Sequence, residues 1–179
     1  MMFDTIVNQP VITAERVVLR PLRKSDQGRI DHFASDETLA RMTVAIPHPL
    51  PPGATEAFIA RAQSDERPAD VWAIDGTPGG SEELIGVISL DHVAEGKSEI
   101  GYWVAPPYQN TGIASEAVRS LIAANPLKSH VMFASVFQDN PASARVLTNC
   151  GFQYLGDAET FSVARNAPVP TWTYSLKLN

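Results

Sequence analysis

The chain has 179 residues, of which 44% are hydrophobic and 19% charged, a composition that suits one globular domain with a sizeable core. Its formal net charge of −6 argues against a nucleic-acid partner, because proteins that bind phosphate backbones present a basic patch or stripe. Cys150 is the only cysteine and the four histidines include no i,i+4 pair, which excludes an internal disulfide and predicts no metal site.

The first third of the chain predicts a strand followed by two helices. Residues 11–20 mix β-branched and polar side chains, which is typical of a strand. Helices are predicted at 25–35 and 55–65 from their apolar spacing. The segment 43–53 between them is rich in proline, which removes backbone donors and therefore predicts a loop.

A three-strand meander is predicted next, at residues 70–75, 84–91 and 98–105. The glycine-rich segment 76–81 joins the first two of these strands as a hairpin loop. Residues 98–105 carry large apolar side chains on both faces, which indicates a central strand covered on both sides.

The last part of the chain alternates helices and strands. Apolar residues spaced by four predict a helix at 112–122, and residues 131–137 predict a buried strand. A short helix is predicted at 140–151, because Asn-Pro opens it and Gly closes it. Residues 152–156 and 171–178 predict the final strands.

No internal repeat or linker interrupts this pattern, so residues 1–179 are interpreted as a single domain. The first residues, Met1 to Thr5, lack the basic region and the apolar stretch of a secretion signal. No run approaches the roughly 18 apolar residues of a membrane span. These features predict a cytoplasmic protein without a membrane partner.

The first motif with chemical meaning is the junction between the strand at 98–105 and the helix from 112. The first N–H groups of a helix have no intrahelical partners and carry the positive end of the helix dipole, so such a junction suits an anion. Gly112 allows a phosphate to approach the backbone closely. The alternative is an ordinary helix start, and the segment is neither a dinucleotide fingerprint nor a P-loop.

The second motif is the start of the helix at 140–151. The side-chain oxygen of Asn140 can cap this helix while its amide donates to a ligand carbonyl, and Ser143 lies in the first turn. The third motif is the double proline, Pro106 and Pro107, at the end of the strand at 98–105. Prolines cannot donate to a sheet, so backbone groups at this strand end are predicted to be free for a ligand that mimics a strand.

In combination, the segments SEIGYWVAPPYQNTGIASEA and DNPASARVLTNCGF resemble the GNAT acyltransferase superfamily. Its pattern is a strand, then Gln/Arg-x-x-Gly-x-Gly/Ala, a helix, a strand and an Asn-headed helix that ends near Gly-Phe. The Glu-Ile-Gly-Tyr-Trp strand and the Asn-x-x-Ser-x-Arg-Val-Leu helix are most similar to the branch of ribosomal-protein N-terminal acetyltransferases. The resemblance covers nearly the whole chain.

The resemblance implies an α+β fold with a mixed, mostly antiparallel central sheet of six to seven strands and about four flanking helices. The sheet is expected to be splayed between the strands at 98–105 and 131–137. Acetyl-CoA would lie in that cleft as the co-substrate, with its pyrophosphate on the loop before the helix and its pantetheine arm along the strand. The cofactor contacts implied are Trp103, Val104, Gln109, Asn110, Thr111, Gly112, Ile113, Ala114, Asn140 and Ser143.

The implied chemistry is attack of a primary amine on the thioester. An alkyl amine is mostly protonated at neutral pH, with a pKa of about 10, so a general base helps. Glu99 is the candidate base, directly or through water, and its alternative interpretation is a solvent-facing carboxylate at the strand end. Ser143 is the candidate that donates a hydrogen bond to the departing sulfur. A mechanism governed mainly by proximity is compatible with the same residues.

Two departures from the family pattern stand out. Asn110 and Thr111 replace the Gly-Lys/Arg pair often found in the pyrophosphate loop, so a cationic side chain is lost there. Leu147 occupies the position at which many members carry a tyrosine general acid, so that role falls elsewhere or is unfilled.

The acceptor implied by the branch resemblance is a protein N-terminal α-amine. An amino acid, a polyamine or an aminoglycoside-like amine is the alternative, as is a non-catalytic module that binds acyl-CoA, and the sequence leaves a monomer and a homodimer open. A nucleotide-binding module is disfavoured because its fingerprints are absent. The acceptor site is expected to be formed by the proline loop at 43–53 and the segment 159–171.

Overall fold

A computed structural model describes residues 7–178, so the predicted absence of a secretion signal at Met1 to Thr5 lies outside the described residues. The described chain forms eight strands and five α-helices. No helix in this range is long and apolar enough to cross a membrane. The elements in chain order are β1 Ile12–Thr13, β2 Val18–Pro21, α1 Gln27–Ala34, α2 Glu37–Arg41, α3 Ala54–Ala62, β3 Ala69–Asp75, β4 Gly86–Ala94, β5 Lys97–Val104, α4 Ile113–Ala124, β6 Val131–Phe137, α5 Pro141–Asn149, β7 Gln153–Ser162 and β8 Ala167–Lys177.

All strands belong to one sheet with the order β1-β2-β3-β4-β5-β6-β8-β7. Every neighbouring pair is antiparallel except β5 and β6, which are parallel and connected by helix α4. A parallel pair requires such a crossover connection, whereas an antiparallel pair such as β4 and β5 can be joined by a short turn. The predicted mixed, mostly antiparallel α+β fold is confirmed.

The numbers of strands and helices each exceed the prediction by one for local reasons. The segment 11–20 is divided into β1 and β2 because the backbone N–H of Ala14 donates to the carbonyl of Val17 and turns the chain. The extra helix α2 has an N-cap that the sequence pattern did not reveal, in which the Asp36 side chain accepts from the N–H of Leu39. Asp is a favoured N-cap because it satisfies a free N–H of the first turn.

The sheet has a hydrophobic core on each face. On one face, α4 and α5 cover side chains that include Trp72, Met132 and Leu147, all of which are fully buried. On the other face, α1 and α3 cover a smaller cluster that includes Ile59 and Val71. The central strand β5 therefore separates two environments, as predicted from its two apolar faces.

The sheet is open along part of its middle. Strands β5 and β6 pair only from Lys97 opposite Val131 to Glu99 opposite Phe133. Past that point β6 continues to pair with β8 as far as Phe137, so it follows β8 and leaves β5 without a neighbour on that side. The predicted splay between these strands is confirmed.

A buried ionic network anchors the far side of the sheet. The guanidinium of Arg20 on β2 lies 2.9 Å from a carboxylate oxygen of Asp26 and 2.9 Å from one of Asp75, and all three residues are at most 6% exposed. Burial opposes the ionised form of Asp75, but hydrogen bonds from Thr77 and Arg20 hold its pKa below the ordinary value. The network links β2 and β3 to the start of α1.

We predict that Arg20→Ala lowers the free energy of unfolding by about 3–5 kcal/mol, because it leaves two buried carboxylates without their cation. Arg29→Ala, which removes an exposed pair with Glu82, should change it by no more than about 1 kcal/mol. Urea denaturation at neutral pH measures both. The folded-state pKa of Asp75 is lowered. The difference in the free energy of unfolding between wild type and Arg20→Ala should therefore be fully present above the ordinary carboxyl pKa, and it should decline as the pH falls through the lowered pKa. Equal losses in the two variants would contradict the role of the network.

Candidate active site

The gap between β5 and β6 opens into a cavity of about 740 Å³, a size typical of small-molecule sites. One side is lined by residues 99–103 of β5 and the other by residues 134–137 of β6. Ser143 and Leu147 of α5 also line it, as does Asn140, which precedes the helix. The cavity thus passes through the sheet at the splay and connects the α5 side with the α1 and α3 side.

Backbone groups of β5 face this gap in alternation. The N–H of Ala105 donates to the carbonyl of Ile85, so in the antiparallel ladder the odd-numbered residues of β5 pair with β4. The backbone of Trp103 is therefore paired with β4, whereas its side chain lines the cavity. Tyr102 and Val104 turn their backbone toward the gap, and the Val104 carbonyl accepts a hydrogen bond of 2.8 Å from Gln109 Nε2.

The phosphate loop, as we call residues 109–112, connects β5 with α4 after the short 3₁₀ turn Pro106–Tyr108. Asn110 and Gly112 have positive φ angles of 60° and 83°, a conformation that glycine and asparagine tolerate best. Within residues 7–178, no backbone N–H from Asn110 to Ala114 donates to another segment. The start of α4 therefore offers unpaired donors at the positive end of a helix dipole.

The side chains of the remaining predicted loop residues make contacts within the protein. The Gln109 side chain is occupied by Val104, and the Thr111 hydroxyl donates to the carbonyl of Tyr108. Ile113 is buried in the core, and Ala114 packs against it. A ligand at this loop would thus meet peptide N–H groups and no cation from the loop itself.

Asn140 lies at the N-terminus of α5, and its side chain forms no hydrogen bond with the part of the chain that the structure describes. The predicted side-chain cap is absent, although Asn140 occupies the N-cap position and lines the cavity. The preceding Asp139 forms a bidentate pair with Arg165, at 2.6 and 3.0 Å, which fixes the start of α5 against the β7–β8 turn. The Asn140 amide is consequently held at the cavity wall and available to a ligand.

Ser143 has a partner that sequence reasoning missed. The Tyr102 hydroxyl lies 2.8 Å from Ser143 Oγ and 3.1 Å from the Ser143 carbonyl oxygen. Burial raises the pKa of Tyr102 to about 12, against the opposing hydrogen bond from Ser143. The available signal was a tyrosine on the buried face of a central strand, because a buried tyrosine hydroxyl usually has a hydrogen-bond partner.

Glu99 is half-buried at the point where the strands separate. Its Oε1 lies 3.5 Å from the hydroxyl of Ser135 on β6, and Asp91 lies directly opposite it on β4. Burial raises the pKa of Glu99 and the charge of Asp91 adds to the rise, while Ser135 opposes it. Glu99 and Asp91 both line the cavity on the side opposite α5.

The two segments expected to form the acceptor site both contribute to the cavity. Residues 43–47 and Leu50 of the proline loop line it together with Thr160 and Thr171. The N–H of Val163 donates to the carbonyl of Val44 at 3.0 Å, so the β7–β8 turn and the proline loop meet at one end. This side of the cavity therefore combines the apolar side chains of the proline loop with the carboxylates of Asp91 and Glu99.

Comparisons with known proteins agree on one family. A family model described as "Acetyltransferase (GNAT) domain" matches residues 16–153. An uncharacterized N-acetyltransferase, YoaA of Bacillus subtilis, is 27% identical over 172 residues, which cover 93% of this chain and 96% of that protein. The residues matched by the model include the whole cavity wall from β5 to α5.

Solved structures share the fold at lower identity. The ribosomal L7/L12 α-N-protein acetyltransferase RimL, in complex with coenzyme A, superposes with a TM-score of 0.80 at 17% identity, over 94% of this chain and 98% of that one. The spermidine N-acetyltransferase of Vibrio cholerae, in complex with CoA and spermine, gives 0.72 at 18% identity, over 88% and 94%. At these identities the likeness shows the fold alone.

We predict that Gly112→Trp weakens acetyl-CoA binding by about a hundredfold or more, which corresponds to about 2.7 kcal/mol. A side chain here requires an unfavourable positive φ, and its Cβ would lie 3.1 Å from Arg16 Nη2 and obstruct the loop. Isothermal titration measures the affinity, and circular dichroism checks the fold. Gly80→Trp is the matched control, because Gly80 also has a positive φ but no atom within 4 Å of its added Cβ. Normal binding by a folded Gly112→Trp protein would remove the loop from the site.

Proposed function

Because the chain belongs to the GNAT acetyltransferase family, we propose that it transfers the acetyl group of acetyl-CoA to a primary amine inside the cavity between β5 and β6. The observation that carries the proposal is the continuity of that cavity. It is lined by Asn140 and Ser143 on the α5 side and by Glu99 and Asp91 on the opposite side. A thioester donor and an amine acceptor entering from the two sides would meet where the strands separate.

The donor would be held by backbone groups on the α5 side. The N–H groups of residues 110–114 suit a pyrophosphate, because each is unpaired and the dipole of α4 adds to their attraction. Tyr102 and Val104 offer strand-like backbone groups to the pantetheine arm, and the Asn140 amide offers a further contact. Preorganised N–H donors of this kind also stabilise the oxyanion of acyl transfer, by about 3 kcal/mol per donor in other enzymes.

Glu99 has the properties of the base. It lies at the cavity and its raised pKa brings it closer to that of an ammonium group, which favours proton removal. In the proposed reaction an ammonium acceptor gives one proton to Glu99, the nitrogen forms a bond to the acetyl carbon, and the carbon–sulfur bond breaks. The second proton lost by nitrogen balances the one that sulfur gains, so the products are an amide and a free thiol.

Ser143 and Tyr102 together suit the departing sulfur. Either hydroxyl can be the donor in the contact between Tyr102 and Ser143 Oγ. When Tyr102 donates to Oγ rather than to the Ser143 carbonyl oxygen, the serine proton is free to form a hydrogen bond with the thiolate. With a pKa of about 12, Tyr102 remains protonated at neutral pH. It therefore donates a hydrogen bond and does not transfer its proton to the thiolate. This pair offers a polar partner near the position that Leu147 leaves without a tyrosine.

The acceptor we propose first is a protein N-terminal α-amine, which the branch resemblance and the fold shared with RimL, an α-N-protein acetyltransferase, support. A small polyamine is the second candidate. Asp91 and Glu99 are direct cross-strand neighbours, and both line the cavity. Two adjacent carboxylates favour a cationic ligand that carries more than one amine.

The proposal is tested by measuring thiol release from acetyl-CoA in the presence of purified protein and a panel of amines. The panel pairs peptides with free N-termini against the same peptides with blocked N-termini, and spermidine against its acetylated form. Turnover with free α-amines alone would support the first acceptor, and turnover with spermidine alone the second. Donor binding without turnover on any amine would contradict the proposed reaction and favour a non-catalytic module.

We predict that Glu99→Gln lowers kcat/KM at neutral pH by about 10²–10⁴-fold, the usual contribution of a general base. The wild-type rate should rise with pH through the raised pKa of Glu99, because only the carboxylate accepts a proton. The variant should lack this rise, and its deficit should shrink at high pH, where the free amine accumulates. Glu95→Gln, an exposed glutamate in the β4–β5 turn, is the control. A pH–rate profile unchanged by Glu99→Gln would exclude Glu99 as the base.

We predict that Ser143→Ala lowers kcat by about tenfold, in line with the loss of a hydrogen bond to a charged group. Tyr102→Phe should produce a smaller loss, because it acts only by orienting the serine hydroxyl. In a double-mutant cycle, Tyr102→Phe should then have no further effect on the Ser143→Ala enzyme. Additive losses in the cycle would show that the two hydroxyls act independently.

A further inference from the structure

Arg16 contacts the phosphate loop from a distant part of the chain. It lies in the turn between β1 and β2, and its Nη1 donates a hydrogen bond of 2.9 Å to the carbonyl of Thr111, 95 residues later. Its Nε lies 2.8 Å from Oε1 of Glu116 in the first turn of α4. One guanidinium group thus binds both the loop and the helix that follows it.

Glu116 holds Arg16 in this position through two further hydrogen bonds to its carboxylate. Its Oε2 accepts the backbone N–H of Arg16 at 2.7 Å and that of Val17 at 3.2 Å. Burial opposes the ionised form of Glu116, but the hydrogen bonds from the backbone and side chain of Arg16 hold its pKa below the ordinary value. The pair is therefore a fixed ionic clamp rather than a flexible surface contact.

The clamp acts on the peptide that determines the shape of the phosphate loop. Thr111 lies between Asn110 and Gly112, the two residues with positive φ angles. In a trans peptide, the carbonyl of Thr111 and the N–H of Gly112 point in opposite directions. The hydrogen bond from Arg16 therefore holds the carbonyl toward Arg16 and the Gly112 N–H away from it. The clamp consequently favours the orientation in which the loop N–H groups remain available.

The guanidinium also places charge at the loop. Nη2 of Arg16 lies 3.1 Å from the position that a Cβ at Gly112 would occupy. Residues 109–112 contain no lysine or arginine, so Arg16 is the cation that the structure brings to this loop from outside it.

We infer that Arg16 is a positioning residue for donor binding, which holds the phosphate loop through Thr111 and compensates for the cation that the loop lacks. This inference rests on the proposed function, because it takes the loop as the site of the donor's phosphates. It distinguishes a role in phosphate binding from a purely structural link between β1–β2 and α4. A structural link would affect every donor alike, whereas the inferred role concerns only donors that carry phosphates.

The first experiment measures the affinity of the protein for CoA by isothermal titration, which needs no acceptor. Arg16→Ala should weaken CoA binding by about tenfold, the equivalent of one hydrogen bond to a charged group. Arg29→Ala is the matched control, because both arginine side chains are about 40% exposed, at 43% and 39%, and both pair with a glutamate. Equal affinities of the two variants would overturn the inference.

The second experiment compares two donors in the thiol-release assay. Arg16→Ala should raise the KM for acetyl-CoA by about tenfold and leave kcat and the acceptor KM unchanged. With S-acetylpantetheine, which lacks phosphates, the variant and the wild type should have the same KM. Equal losses with both donors would show a purely structural role and overturn the inference.

Arg16→Lys separates the effect of the positive charge from the effect of the several N–H groups of the guanidinium. It also provides a folded variant if Arg16→Ala is unstable. Lysine keeps a positive charge near Glu116 but cannot bind Glu116 and Thr111 with the planar geometry of arginine. We expect it to remain impaired in CoA binding, and full affinity in this variant would contradict positioning through Thr111. A wild-type protein that binds no CoA would instead refute the proposed function, whereas CoA binding that is insensitive to Arg16 would refute only this inference.

Discussion

The early end of pairing between β5 and β6 is the constraint on which the site depends. Three residue pairs connect these strands, after which β6 follows β8 for the rest of its length. A sheet that stayed closed here would bury every backbone group of β5 and leave no passage between its faces. Because it opens, the α5 side and the side of α1 and α3 share one cavity, which the proposed catalytic side chains Glu99 and Ser143 both line.

The gap is stabilised by groups that replace the missing strand neighbour. Two prolines follow β5 and cannot donate to a sheet, and the side chain of Gln109 takes the Val104 carbonyl that would otherwise lack a partner. The start of α5 lies at the opening, where Ser143 Oγ forms a hydrogen bond of 2.8 Å with the Tyr102 hydroxyl. Local polar contacts therefore satisfy part of the exposed strand edge and still leave N–H groups for a ligand.

The two sides of β5 differ in chemistry in a way that suits a two-substrate reaction. Tyr102 and Val104 belong to the face covered by α4 and α5, near the unpaired N–H groups that favour an anionic donor. Glu99 belongs to the other face, together with Asp91, and both carboxylates favour a cationic acceptor. Because alternate residues of a strand point to opposite faces, one short strand can serve both substrates.

The sequence by itself determined the parts of this protein that depend on neighbours along the chain. The strand alternation of β5, the unpaired helix start after Gln109 and the Asn-Pro opening of α5 are local features. Together they carry the resemblance to the GNAT superfamily, and that resemblance implied the fold class, the splay and the candidate residues Glu99 and Ser143. The backbone direction of Trp103 and the free side chain of Asn140 were decided by the tertiary structure, since both depend on which partner each group finds. The same holds for the contacts of Tyr102 with Ser143, 41 residues apart, and of Arg16 with Thr111, 95 residues apart. No local pattern encodes such pairs, because they arise only when the packing of the sheet and helices brings distant side chains together.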